Sequence, residues 1–181
     1  DGGHALPQIL RKFVANTQLL ARETGVAEGG LFNDRLAELR TMTGGVDFAA
    51  AVASYARGVY DGNTKQMEGA IQWLQSGTKG VKELGTYVQG THVLKDSGIY
   101  DQIKLLARLI RMAGFAGLLV CLDELVQLVT LESKSRAANY DELHHIMIDC
   151  LQGNVRGLGF LCGGTPDFLE DEQSGLAGHP A

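Results

Sequence analysis

The sequence predicts an α/β protein in which a largely helical N-terminal part precedes a small parallel sheet. Helical spacing of apolar residues dominates positions 1–95, whereas two short unbroken apolar runs follow later, with a helical pattern between them. Strand, helix and strand within about forty-five residues are typical of a parallel βαβ unit. We therefore divide the chain into a helical segment, 1–95, and a βαβ part, 96–181.

Composition excludes several classes of protein. The 181 residues are 45% hydrophobic and carry a formal net charge of −5, so the chain is too apolar for a disordered protein. No apolar run approaches the roughly 18 residues of a membrane span, and the first residues lack the pattern of a signal peptide. The acidic balance gives no global reason to expect nucleic-acid binding. The chain is expected to work away from membranes.

Short helices separated by glycine are predicted for the N-terminal part. Gly44-Gly45, Asp61-Gly62 and Gly77 are predicted to end three of them, and Asn63 with Gln66 forms a cap-like start for the fourth. The apolar positions place these helices over 6–17, 31–42, 48–59 and 63–74.

A fifth helix is predicted from residue 99. Its apolar stripe consists of Ile99, Ile103, Leu106, Ile110 and Ala113. A neighbouring face carries three cations, Lys104, Arg108 and Arg111. This basic face is either solvated or contacts DNA or a neighbouring subunit's nucleotide.

Two apolar runs, 118–122 and 158–162, are predicted to be strands buried on both faces. Between them Asn139 and Glu142 form a capping box that is predicted to start a helix. The inner face of that helix is predicted to carry five apolar residues, Leu143, Ile146, Met147, Cys150 and Leu151.

The three cysteines are odd in number and form no C-x-x-C pair, which argues against a disulfide framework and a thiolate zinc site. A reducing cytoplasm fits this usage. Cys121 and Cys162 lie inside the apolar runs, where cysteine is typically a small buried hydrophobe.

Polar residues follow both predicted strands. Asp123 and Glu124 end the first run, and Gly163-Gly164-Thr165 ends the second. Because parallel strands bring their carboxyl ends to one edge of a sheet, we expect these residues to lie side by side at the edge where open α/β sheets bind ligands. Asp followed by Glu after a buried strand is the arrangement with which ATPases orient Mg²⁺ and water.

Simpler explanations exist for the same residues. Asp123 is also a suitable cap for a helix over 125–131, in which case the acidic pair has no catalytic role. Asp141 and His144 have the spacing to share a metal ion, although a solvated helix face is the favoured explanation.

Three stretches carry a family resemblance. GFAGLLVCLDELVQL, followed by NYDELHHIMIDCLQGNVRGLGFLCGGTPDFLEDE, resembles the ATP-binding domain of BREX phage-defence proteins, a branch of the P-loop ATPases similar to AAA+ and STAND proteins. GAIQWLQSGTKGVKELG, residues 69–85, resembles the helical segment that precedes the Walker B strand in that family. The resemblance extends over residues 63–172 and is weaker before them.

The resemblance implies a function and a role for three residues. Asp123 is expected to be the Walker B carboxylate that orients Mg²⁺, Glu124 the catalytic glutamate, and Thr165 the γ-phosphate sensor. ATP and Mg²⁺ are the implied cofactors, and other defence-system proteins, DNA or further copies of the chain are the implied partners.

The family's phosphate-binding loop matches nothing in the 181 residues, because no stretch fits G-x-x-x-x-G-K-[ST]. The chain is therefore expected to be a P-loop NTPase-like fragment that binds nucleotide weakly or not at all by itself. The alternative is a non-catalytic helical interaction or regulatory module with no nucleotide site.

Overall fold

The computed structural model describes residues 5–76 and 98–179 of the chain, and in them helices predominate over a two-stranded parallel sheet. The chain divides into two compact units, Asp1–Ala116 and Gly117–Ala181. The predicted boundary between residues 95 and 96, the helix end at Gly77 and much of the segment 69–85 lie outside the described residues.

The described part of the first unit is helical, as its spacing predicts. Asn63 Oδ1 accepts a hydrogen bond from the Gln66 backbone N–H at 3.2 Å, which confirms the cap-like start of the fourth helix. The third helix ends at Gly62, whose φ of 64° lies in the left-handed region that glycine tolerates. The helices are α1 (Ala5–Thr24), α2 (Glu28–Arg40), α3 (Gly45–Asp61), α4 (Thr64–Ser76) and α5 (Ile99–Met112).

All five of these helices contribute to one apolar core. Phe13 of α1 is fully buried and its ring meets that of Phe32 edge-on, with centroids 5.5 Å apart. Val52 of α3 and Trp73 of α4 are buried in the same cluster, as are Leu105 and Leu109 of α5. These contacts span the chain from residue 10 to residue 113, so burial of apolar surface holds the unit together.

Arg35 links three helices inside this unit. Its guanidinium donates to Thr17 Oγ1 of α1 at 2.5 Å and to the backbone carbonyl of Met112 at the end of α5. The same group lies 5.0 Å from the centroid of the Phe13 ring. Burial lowers the pKa of Arg35 from its ordinary value, yet arginine stays charged in proteins. Arg35 therefore supplies a polar connection within a largely apolar core.

Replacing Arg35 by methionine is expected to destabilise the first unit by about 1–3 kcal/mol, because the Met112 carbonyl loses its charged donor while the side-chain volume is nearly kept. Urea unfolding measures the change. Arg40→Met, at an exposed position of the same helix, is the matched control and should leave stability within about 0.5 kcal/mol. Equal losses in the two variants would contradict the role of Arg35.

The predicted stripe of α5 is confirmed in part. Ile110 and Ala113 of that stripe are buried, whereas Ile99 is 56% exposed, and the burial of Leu105, Leu109 and Met112 was not predicted. The neighbouring basic face is largely paired within the unit, since Lys104 bonds Asp101 at 2.8 Å and Arg108 pairs with Glu38 of α2. These ion pairs favour a structural role for the basic face over a DNA contact.

The second unit contains the predicted βαβ arrangement. Strand β1 (Leu118–Leu122) pairs in parallel with β2 (Leu158–Cys162), and the long helix α6 (Ser133–Leu151) lies between them in the chain. A 3₁₀ helix, Leu125–Thr130, precedes α6, and a short helix α7 (Pro166–Glu170) and a 3₁₀ turn, Leu176–Gly178, follow β2. Strand identity and direction are thereby confirmed, and the α/β class is confirmed to the extent of this two-stranded sheet.

The prediction that both strands are buried on both faces is wrong. Leu119 is 63% and Leu161 60% exposed, and Cys121 and Cys162 are exposed too, which also corrects their prediction as buried hydrophobes. Cys121 and Leu161 are paired in the ladder, so they share one face of the sheet. Tyr140 and Leu143 of α6 pack in a cluster with Leu122, which lies on the other face. Helix α6 therefore packs on one face of the sheet and leaves the other face exposed. The apolar composition of the strands does not show which face is covered.

Helix α6 begins six residues before the predicted capping box. Asn139 lies inside it and donates from Nδ2 to the carbonyl of Ser135 at 2.8 Å, so its polar side chain is satisfied within the helix. The predicted inner face is also partly wrong. Leu143 and Ile146 are buried, whereas Met147 is exposed and Leu151 is 85% exposed.

Candidate functional site

The carboxyl ends of β1 and β2 bring Asp123 next to Gly163. The register pairs Leu122 with Cys162, so Asp123 and Gly163 are the next residues of adjacent strands. The Gly163 N–H donates to the Leu122 carbonyl at 2.8 Å, and the Gly163 carbonyl accepts from the Leu125 N–H at 3.0 Å. The first turn, residues 123–124 after β1, and the second turn, residues 163–165 after β2, are therefore joined by backbone hydrogen bonds beyond the end of the sheet.

Asp123 lies against the second turn. A Cβ atom at position 163 would come within 2.8 Å of Asp123 Oδ1, so glycine there lets the carboxylate approach the turn closely. The same oxygen accepts the Glu124 N–H at 2.8 Å. Asp123 is exposed, so its other carboxylate oxygen is available to a ligand. Carboxylate oxygens are ligands that Mg²⁺ prefers, so this one side chain is of a type that suits the ion.

Glu124 has an unusual backbone conformation. Its φ of 55° and ψ of 36° lie in the left-handed region, and among the described residues it is the one non-glycine with positive φ. A side chain in this region costs about 1–2 kcal/mol. Strain of this kind concentrates at functional sites, where it fixes the direction of a side chain. Sequence reasoning missed this feature, because no glycine or asparagine marks the position.

Replacing Glu124 by glycine is expected to raise the stability of the second unit by roughly 0.5 kcal/mol, since relief of strain exceeds the added entropy of the unfolded chain. Glu142→Gly, at an exposed position inside α6, is the matched control and should lower stability by about 1 kcal/mol. Far-UV circular dichroism in urea measures both. Equal losses in the two variants would show that residue 124 is not strained.

Thr165 lies on the second turn, two residues beyond Gly163, and immediately precedes α7. Its backbone is extended, its carbonyl accepts the Phe168 N–H at 3.1 Å, and its side chain makes no capping hydrogen bond to the helix. Thr165 is exposed. The structure thus brings Asp123 close to Gly163 and puts Thr165 on the turn that follows, with its hydroxyl not used for capping.

The alternative prediction, that Asp123 caps a helix over 125–131, is confirmed for the helix but not for the cap. A 3₁₀ helix does begin at Leu125, but its capping position is Glu124, and no side chain caps it. Asp123 Oδ1 accepts the N–H of Glu124, the next residue. A capping side chain would instead accept the N–H of the second or third residue of the helix. Helix capping therefore does not account for Asp123.

The other predicted cluster has a different geometry from a metal site. Asp141 Oδ1 lies 2.8 Å from His179 Nε2, and the His179 ring packs 5.7 Å from the ring of His144. In the described part of the chain, no group of three or more metal-ligating side chains comes together. The Asp141–His179 pair joins α6 to the end of the unit, 38 residues apart, and no sequence pattern indicated it.

A family model described as BREX system ATP-binding protein BrxC/D matches residues 1–181. The chain belongs to this family. The match covers the whole chain, including the helical N-terminal part in which the resemblance of the sequence was weaker. No curated protein and no solved structure matches the chain.

Membership of the BrxC/D family confirms the resemblance, and the family's description names ATP binding. Within the described residues, no helix combines the length and apolarity that crossing a membrane needs. All three cysteines are free thiols.

Proposed function

We propose that this BrxC/D family member contributes the Walker B and sensor part of a P-loop ATPase site, which binds and hydrolyses ATP with Mg²⁺ and couples turnover to conformational change in a phage-defence assembly. The observation that carries the proposal is the joined pair of turns at the carboxyl edge of the parallel sheet, where Asp123 lies against Gly163. Ligands of open α/β sheets bind at this edge.

Each of three residues has a role that follows from its position. Asp123 would hold Mg²⁺ through its exposed carboxylate, and the ion would supply positive charge to stabilise the phosphates of ATP. Glu124, turned by its left-handed backbone, accepts a proton from the attacking water or orients it. Thr165 donates its hydroxyl to the γ-phosphate from the adjacent turn.

The proposal is tested with the complete gene product, because a P-loop site needs a phosphate-binding loop besides these residues. The expected result is Mg²⁺-dependent ATP hydrolysis that Glu124→Gln removes, while binding of ATP persists. Hydrolysis that does not change when Glu124 is replaced would overturn the assignment.

A non-catalytic interaction module is the second candidate. The exposed apolar pair Leu119 and Leu161, on one face of the small sheet, favours it, since apolar surface of this kind often marks a contact with another protein. It predicts no nucleotide binding by the complete gene product. A radiolabelled-ATP filter assay therefore separates the two functions.

A further inference from the structure

A small apolar cluster in the second unit packs beside both turns of the proposed nucleotide site, and we call it the turn cluster. Leu122 and Leu125 pack against it, and these two residues flank the acidic pair of the first turn. The cluster therefore anchors the first turn at both of its ends. Its buried members are Tyr140, Leu143 and Phe168.

Phe168 connects the turn cluster to the second turn. Its N–H donates to the Thr165 carbonyl at 3.1 Å. A Cβ atom added at Gly164 would lie 3.1 Å from Phe168 Cδ1, so the ring packs closely on the backbone of the turn. Phe168 is buried, and a close-packed ring leaves the turn little room to shift. The position of Thr165 therefore depends on where this ring is held.

Tyr140 holds the Phe168 ring. The two rings meet edge-on with their centroids 5.8 Å apart, and Tyr140 is buried as well. The Tyr140 hydroxyl donates to the Ser174 carbonyl at 2.7 Å, and the ring of His179 packs edge-on against it at 5.5 Å. Burial raises the pKa of Tyr140 from its ordinary value, so the phenol stays a donor at neutral pH. One side chain thus joins α6, Phe168 and the segment that follows α7.

We propose that Tyr140 is a positioning residue for the contact between Thr165 and the γ-phosphate, a role that rests on the proposed function. The hydroxyl bond keeps the Tyr140 ring against Phe168, and Phe168 keeps the second turn where it presents the Thr165 hydroxyl. Because Thr165 contacts the γ-phosphate, which ADP lacks, Tyr140 strengthens the binding of ATP and not that of ADP. A residue needed only for folding would affect both nucleotides alike.

Calorimetry with the complete gene product tests the proposal, with ADP and a non-hydrolysable ATP analogue as probes, both in the presence of Mg²⁺. Tyr140→Phe removes one hydroxyl and keeps the ring. It should lower the preference for the ATP analogue over ADP by about threefold to tenfold, while the affinity for ADP stays the same. Thr165→Ala should lower the preference at least as much. The double variant should be no worse than Thr165→Ala, because both residues act through one contact.

Ile146→Val is the matched control for the loss of stability. Ile146 is buried further along α6, and its truncation should destabilise the unit about as much as the loss of one hydrogen bond. Its nucleotide preference should equal that of the unaltered protein. An equal loss of preference in Ile146→Val and Tyr140→Phe would overturn the positioning role.

Amide hydrogen exchange of the 181-residue chain tests the packing step without any nucleotide. Tyr140→Phe should speed exchange of the Phe168 amide, which bonds the Thr165 carbonyl, by at least about fivefold relative to Ile146→Val. Unchanged exchange overturns the link from Tyr140 to the second turn. An unchanged nucleotide preference in Tyr140→Phe, where Thr165→Ala lowers it, overturns the positioning role alone. An unchanged preference in Thr165→Ala overturns the sensor assignment of the proposed function and this inference with it.

Discussion

Glu124→Gln is expected to lower ATP turnover by the complete gene product by about 10²–10⁴-fold, the range that removal of a general base produces. Glutamine keeps the size of the side chain but accepts no proton, so ATP binding should persist while hydrolysis stops. Phosphate release measures turnover, and fluorescence anisotropy of a labelled ATP analogue measures binding. The left-handed backbone at residue 124 is compatible with either side chain, so loss of folding is not the expected cause.

Two comparison variants make this result specific. Asp123→Asn should raise the Mg²⁺ concentration needed for half-maximal turnover, because it removes a metal-orienting charge rather than the base. Glu132 is an exposed acid just beyond the 3₁₀ helix that follows Glu124. The Glu132→Gln variant should turn over ATP at the unaltered rate. Unchanged turnover in Glu124→Gln, or an equal loss in Glu132→Gln, would contradict the catalytic role.

Phe13→Ala is expected to destabilise the first unit by about 3–5 kcal/mol, because a fully buried ring leaves a cavity that the packed helices fill only in part. The change also removes the edge-on contact with Phe32 and the surface beneath the Arg35 guanidinium. Trp73, the single tryptophan, is buried in the same core, so its fluorescence in a urea titration reports the unfolding of this unit.

Leu19→Ala, on the same helix, provides the matched control. Leu19 is 54% exposed, so its truncation should change the free energy of unfolding by less than about 1 kcal/mol. Similar losses for the two variants would mean that Phe13 is not at the centre of the core.

Much of the secondary structure follows from local patterns. Glycines 44 and 62 mark helix boundaries because their positive φ suits a residue without Cβ, and Asn63 caps α4 through a bond three residues away. Asn139 and Glu142 have the spacing of a capping box and so predicted the start of α6 too late. The same two residue types also fit a helix interior, where Asn139 donates to the carbonyl of Ser135 in the preceding turn. Local signals fix the type of an element more firmly than its ends.

The edge of the sheet at which Asp123 lies could be predicted because strand direction decides it. Parallel pairing through one crossover helix brings the carboxyl ends of both strands to one edge, and the register of the pair then sets Asp123 beside Gly163. The conformation of Glu124 could not be predicted in this way, since it depends on the hydrogen bonds that join its turn to Gly163.

By itself the sequence determined the helical N-terminal part, the βαβ order and the resemblance to BREX ATP-binding proteins, because periodicity, helix-ending glycines and motifs are local properties of the chain. Tertiary structure alone decided which apolar residues are covered. Leu119 and Leu161 are of the residue type that is usually buried in strands. They stay exposed because the helix between the two strands packs on the other face of the two-stranded sheet. Burial depends on what packs against a residue, and that depends on the whole chain.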